Sequence, residues 1–148
     1  MGKFAEISCI RIFLFIFAFC YLPAFGQVLV TDGDTIRYQG EKIRLDGIDA
    51  PELNQQCKTK NKFWNCGDQA ANALKNLIKN KSNKKLNCEG ISIDKYGRQL
   101  STCFFDDLNI NKWMIENGWA LAYRYYSKRY IESENKARQS KKGIWQGE

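Results

Sequence analysis

Ile36, Tyr38, Ile43 and Leu45 alternate with Arg37, Lys42, Arg44 and Asp46 on either side of Gln39-Gly40. Apolar and polar positions that alternate around a short glycine turn predict two antiparallel strands with one apolar face. Arg44 then lies on the face opposite Ile43 and Leu45. The apolar residues of positions 27–30 open a strand that leads into this hairpin. Behind Asp68, which is a suitable N-cap, Ala70, Ala71, Leu74, Leu77 and Ile78 recur at helical spacing. They predict a helix of about three turns lying over the sheet. The basic, asparagine-rich stretch 79–85 ends it, and the polar stretch 53–65 that precedes it reads as a loop.

Farther along, positions 86–93 and 99–105 read as a second hairpin, joined by Asp94-Lys95-Tyr96-Gly97 with Arg98 at the start of its second strand. A short helix over 109–117 buries Ile110, Trp113 and Met114 and ends at Gly118. A second helix is expected over 127–142, stopped by Gly143, with Trp145 folding back onto the core. There is no internal repeat and no sign of a second domain. Five short strands with interspersed helices predict a β-rich α+β fold, a five-stranded barrel of the OB type with about three helices.

Residues 31–52 gather six acidic side chains and two arginines around the first hairpin. Asp32 and Asp34 precede its first strand while Asp49 and Glu52 follow its second, so antiparallel pairing brings both sets to one end of the sheet. Crowded carboxylates repel unless a cation sits among them, and a hard ion with oxygen ligands meets that need. A strict two-residue turn sets Asp34 opposite Leu45 on the apolar face. Either the turn is longer or Asp34 sits at the barrel's rim. An EF-hand is excluded, because a loop begun at Asp32 has Arg37 in place of its glycine and Ile43 in place of its bidentate glutamate.

The chain has 148 residues, a net charge of +7 and no histidine. Without histidine, Ser-His-Asp hydrolysis, histidine-assisted cysteine chemistry, HExxH zinc proteolysis and histidine-pair ribonuclease mechanisms are removed. Lys3 and Arg11 precede an apolar run from Ile12 to Phe25, followed by a small-residue site at Gly26. Residues 1–26 therefore read as a secretory signal, with residues 27–148 as the mature domain, secreted or periplasmic. Cleavage lowers the charge only to +6 over 122 residues, which leaves a basic protein suited to polyanions or to simple solubility. No stable membrane association is expected after cleavage.

Four of the six cysteines, Cys57, Cys66, Cys88 and Cys103, remain after the signal. An even number in an exported chain predicts two disulfides. Positions 88 and 103 are symmetric about Lys95-Tyr96, the centre of the second hairpin, which favours Cys88 with Cys103 and leaves Cys57 with Cys66. A zinc site is disfavoured, since the spacing has no C-x2-C element and no histidine completes a mixed site.

VTDGDT, IRLDGIDAPE, DKYGR, ENGWALAYRY and KKGIW occur in this order and at compatible separations. Together they resemble the staphylococcal nuclease (thermonuclease-like) family over nearly all of the mature sequence. The resemblance implies an OB-fold monomer that binds Ca2+ through Asp34, Asp49 and the carbonyl of Ala50, where relatives often carry threonine. It also implies Glu52 as the general base on a water, Arg44 and Arg98 as the phosphate clamps, and Tyr96, Tyr123 and Tyr125 as the lining of a nucleotide pocket. DNA or RNA is then the substrate, and the chain is a calcium-dependent endonuclease. The chemistry is consistent with those roles, because a planar guanidinium can grip phosphate oxygens bidentately and fixed positive charge meets the charge that develops there. From the residues alone, Tyr123, Tyr125, Tyr126 and Tyr130, interleaved with Arg124, Lys128 and Arg129, read equally as base-stacking groups or as packing near a helix start. The alternative is an OB module that binds nucleic acid without cleaving it. The complete set Asp34, Arg44, Asp49, Glu52 and Arg98 favours the enzyme. The departures from the family are the four cysteines, a tighter first hairpin and the cysteine-clipped loop after Glu52.

Overall fold

A computed structural model of the chain describes residues 26–60, 62–125 and 127–147. Residues 1–25 of the expected signal, and Tyr126, lie outside the described residues. The strands of the first half are β1 (Leu29–Val30), β2 (Thr35–Tyr38), β3 (Glu41–Leu45), β4 (Ile48–Asp49), β5 (Cys57–Lys58) and β6 (Phe63–Trp64). Helix α1 (Cys66–Asn80) follows, then β7 (Leu86–Ile93), β8 (Gln99–Phe105), β9 (Leu108–Asn109), α2 (Ile110–Glu116), β10 (Leu121–Ala122) and α3 (Ile131–Gln139). The result is a sheet-rich α+β fold with three helices.

The first hairpin forms as its alternation predicts, with Ile36 opposite Ile43 and Thr35 opposite Arg44 about the two-residue turn Gln39-Gly40. The main sheet runs β1-β2-β3-β8-β7, with β9 added to β8. All its pairings are antiparallel except β3 with β8, which are parallel with Ile43 beside Gln99 and Leu45 beside Ser101. Among the described residues no pairing closes β7 onto β1, so the order is that of an open sheet. Two small antiparallel ladders, β4 with β10 and β5 with β6, complete the strands. They are more numerous than the five expected, because two-residue ladders of this kind carry too little periodicity to be read from sequence.

Ile36, Ile43 and Leu45 from the sheet meet Leu74 of α1 and Ile110 and Met114 of α2 in one buried cluster. Ala70, Ala71, Leu74, Leu77 and Ile78 are all buried, so the helical stripe faces the core as expected. The helix is longer than expected, at 15 residues, and begins ahead of Asp68. Its upstream start is possible because the Gln55 carbonyl accepts the Gly67 N–H at 3.2 Å, satisfying a donor that a helix N-terminus leaves open. Asp68 sits in the first turn and its carboxylate accepts the Asn54 N–H at 3.1 Å. Helix α3 is shorter than the stretch 127–142. Ser127 Oγ accepts the Arg129 N–H at 3.1 Å, a local bond that competes with helix entry, and Lys141 takes a left-handed φ of 51° at the exit. In α2, the Asn109 side chain accepts the Lys112 N–H at 2.9 Å and caps the helix.

Cys57 is bonded to Cys66 and Cys88 to Cys103, the latter directly opposed across β7 and β8. The symmetry about Lys95-Tyr96 holds for positions 86–89, and a shift between Glu89 and Ser92 then moves the register by one residue before the turn. Closing the 15-residue separation of Cys88–Cys103 removes chain entropy from the unfolded state. Its loss in Cys88→Ala/Cys103→Ala should cost about 3 kcal/mol, read as a lower urea midpoint with a steeper slope, because the freed unfolded chain exposes more surface.

Candidate active site

Asp34 enters β2 from the turn at residues 32–34 and is almost completely buried. The strict turn does set it across from Leu45, whose N–H donates to the Asp34 carbonyl at 2.7 Å. Its carboxylate is tolerated at that depth because three donors converge on it. Arg44 Nη1 lies 2.6 Å away, Thr35 Oγ1 3.0 Å and the Ala50 N–H 3.1 Å. Arg44 reaches Asp49 with its other terminal nitrogen at 2.8 Å. One guanidinium therefore bridges two carboxylates from segments 15 residues apart, as strand pairing about the first turn requires. Gly33 permits the approach: a Cβ there would lie 2.6 Å from the Ala50 methyl and 3.1 Å from that of Ala70.

Burial pushes the Asp34 carboxyl up to about 6, against the downward pull of Arg44 and of the Ala50 N–H. Burial also acts against the charge on Arg44, but attraction to Asp34 and the hydrogen bond to Asp49 outweigh it, so Arg44 is held above its ordinary value. Asp49 differs from Asp34 in that half of its side chain is exposed. Its backbone pairs with Leu121 of β10, and the Tyr123 N–H donates to the Gly47 carbonyl at 2.9 Å. That ladder carries the Tyr123–Tyr125 stretch alongside the turn before Asp49.

The Glu52 side chain is exposed, while its backbone is held: its N–H donates to Gln55 Oε1 at 3.0 Å and its carbonyl accepts the Gln55 N–H at 2.9 Å. Arg98 is engaged elsewhere than Arg44. Its Nε donates to Asp94 Oδ2 at 2.7 Å, and its guanidinium lies 5.3 Å from the Tyr96 ring centre. Tyr96 and Tyr125 are strongly exposed and Tyr123 partly so. Bonds thus join Asp34, Arg44, Asp49 and Ala50 into one cluster, while Glu52 sits on the next loop and Arg98 on the β7–β8 turn.

The family model described as staphylococcal nuclease homologue matches residues 42–147. The chain belongs to that family. An uncharacterized endonuclease of Escherichia coli O157:H7 is 33% identical over 146 residues, covering 92% of this chain and 88% of that protein. Succinoglycan biosynthesis protein ExoI of Rhizobium meliloti (strain 1021) is 35% identical over 129 residues, covering 85% of this chain and 66% of that protein. The probable staphylococcal-like nuclease CAN3 of Oryza sativa subsp. japonica is 29% identical over 121 residues, 80% of this chain and 29% of its own length. Asp34 precedes the matched span, so its membership of the site rests on the contacts to Arg44 and Ala50.

As a staphylococcal nuclease homologue, the chain invites a test of its oxygens against a calcium ion. Among the described residues no three acidic, cysteine or histidine side chains converge as a metal-holding group. The side-chain donors at hand are the Asp34 and Asp49 carboxylates, hard oxygens that suit Ca2+ and not zinc. The raised carboxyl of Asp34 fits as well, because Arg44 alone does not offset the cost of burying that charge. Asp49, with half of its side chain exposed, keeps this cluster open to solvent.

Three supporting residues of the homologue escaped the sequence reading. Asn111 is fully buried, donating to the Asp46 and Ser101 carbonyls at 2.9 and 3.0 Å and accepting the Cys103 N–H at 3.0 Å. It ties α2 to the end of β3, just before the turn to Asp49. Glu134 is buried in α3, where it accepts the Ala122 N–H at 2.9 Å and pairs with Arg124. Asp94 accepts the Tyr96 and Arg98 N–H groups, both at 2.9 Å, besides the Arg98 guanidinium. The spacing within DKYGR carried a signal for Asp94, whereas Asn111, on the buried face with Met114 and Ile115, and Glu134, on the buried face with Ala137, are single polar positions in short helices whose partners lie on other elements.

Burial acts to raise the Asp94 carboxyl, but the hydrogen bonds from Arg98 and Tyr96 outweigh it and hold it below the ordinary range. A group depressed in the folded state stabilises the fold above its unfolded pKa and loses that contribution as pH falls through its folded one. The stability gap between wild type and Asp94→Asn, measured by urea unfolding, should therefore be full at neutral pH and narrow below about pH 4. A gap that does not change with pH would mean that the carboxylate charge is not what holds Arg98.

Proposed function

We propose that the chain is an exported, calcium-dependent nuclease that hydrolyses phosphodiester bonds of DNA or RNA. The observation that carries this reading is the Arg44 guanidinium held between Asp34 and Asp49, on strands that lead directly to Glu52. In this reading Glu52 takes a proton from the attacking water, whose oxygen bonds to phosphorus as the bridging P–O bond breaks. Arg44, kept oriented by its two carboxylates, and Arg98, kept oriented by Asp94, meet the negative charge that develops on the phosphoryl oxygens. Asp34, Asp49 and the Ala50 carbonyl would hold the calcium ion, which adds fixed positive charge at the phosphate when bound. The exposed Tyr96, Tyr123 and Tyr125 offer faces on which bases can stack.

The endonuclease names of relatives and the family match support the reaction class. Two disulfides, and no helix among the described residues long and apolar enough to cross a membrane, are compatible with export to a secreted or periplasmic location. We read the open sheet, with β4–β10 at its flank, as an OB-type barrel, and the chain as a monomer.

Glu52→Gln should lose about 10²- to 10⁴-fold in kcat while nucleic-acid affinity changes far less. Full turnover in a folded Glu52→Gln variant would remove Glu52 as the base, and binding without cleavage in the wild type would favour the non-catalytic OB module.

After exhaustive chelation, cleavage should return on titration with Ca2+ at about 10⁻⁴ to 10⁻³ M, the range of extracellular sites. Mg2+ and Zn2+ should support little. Asp34→Ala and Asp49→Ala should each weaken calcium binding by calorimetry as well as activity; a calcium dependence unchanged in both would remove the ion from this cluster.

A further inference from the structure

We propose that the Cys57–Cys66 disulfide positions Glu52, so that the chain cleaves nucleic acid efficiently only when this bond is oxidised. The inference rests on the reading of Glu52 as the base. Its origin is the way residues 52–56 are held. All five side chains of that stretch are exposed, so burial of apolar surface does little to fix it. Asn54 even takes a left-handed φ of 64°, which an unconstrained asparagine adopts only as a minority conformer.

What holds the stretch is the first turn of α1. The Gln55 carbonyl accepts the Gly67 N–H, the Asn54 N–H donates to Asp68, and Gln55 closes on both backbone polar groups of Glu52. The contact is close enough that a Cβ on Gly67 would lie 1.7 Å from the Glu52 carbonyl oxygen. These are weak, solvent-side bonds. The one covalent tie is Cys57–Cys66, which spans nine residues and joins the end of the stretch to the fully buried first residue of α1. Arg44, Asp34 and Asp49, by contrast, lie on the β2–β4 segment and take none of their contacts from this loop. Opening the disulfide should therefore release Glu52 while leaving the phosphate and calcium groups in place. A displacement of about 1 Å in a catalytic group costs on the order of 10²-fold in rate.

The switch is a two-electron step. A dithiol reductant delivers two electrons and two protons to Cys57–Cys66, giving two thiols, and closes to its own disulfide. Such a chain would be latent in a reducing compartment and competent in an oxidising one. Cys88–Cys103, set in the β7–β8 ladder, is a built-in control.

The test measures kcat and KM on fluorogenic DNA and RNA oligonucleotides with calcium, at a temperature where every variant is folded by circular dichroism. Cys57→Ser/Cys66→Ser should lose on the order of 10²-fold in kcat with KM within about twofold, whereas Cys88→Ser/Cys103→Ser should lower Tm and leave kcat unchanged. Gly67→Ala, which keeps the disulfide but presses on the Glu52 carbonyl, should share the kcat loss. Wild type reduced by a dithiol should behave as Cys57→Ser/Cys66→Ser and recover on reoxidation. Unchanged kcat in Cys57→Ser/Cys66→Ser, or an equal loss in both cysteine pairs, would overturn the positioning role. Oxidised wild type without Glu52-dependent turnover would instead overturn the reading of Glu52 on which it rests.

Discussion

The arrangement depends on one guanidinium held between two carboxylates. Arg44 lets Asp34 remain in a nearly dry position beside Leu45, and in return Asp34 and Asp49 fix both ends of the Arg44 fork. A lysine ammonium, without the planar fork, would not hold the two carboxylates in this fixed geometry. The interaction is not a simple gain in stability, because a buried carboxylate with one cationic partner is still costly, as the raised Asp34 carboxyl indicates. A site that keeps such a charge for function has to offset its cost elsewhere, and the apolar cluster of Ile36, Ile43, Leu45 and Leu74 beneath it is where that happens.

Strong periodicity was readable in the sequence, and weak periodicity was not. The alternation around Gln39-Gly40 and the stripe from Ala70 to Ile78 each bury one continuous face, so pattern and structure agree. The start of α1 was misplaced because its determinants are not local. Gln55 and Cys57, well upstream, supply the hydrogen bond and the disulfide that let the helix begin at Cys66 instead of at the better capping residue. The parallel pairing of β3 with β8 has no signature in either strand, since it joins segments some fifty residues apart that are each also paired to an antiparallel neighbour.

The site divides in the same way. Residues within the 31–52 stretch could be brought together on paper because a hairpin is a short-range object, and the bonds of Asp34, Arg44, Asp49 and Ala50 follow from its register. The groups that hold the stretch from outside could not. Asn111 reads as an ordinary polar position on a short helix until its three hydrogen bonds, one to Asp46 just past β3 and two to β8, are seen. Arg98, which the resemblance implies as a phosphate clamp, is held within its own turn by Asp94 and makes no bond to that stretch among the described residues.

The parallel ladder between β3 and β8 also bears on how the chain acquires its shape. A strand emerging early must wait for one that emerges much later, and closing so long a loop before any contact rewards it makes this step slow relative to hairpin formation. The acidic hairpin can therefore form in a growing chain while the sheet that supports it cannot. Until Ser101 has been synthesised the polypeptide cannot complete the parallel ladder at the centre of its sheet.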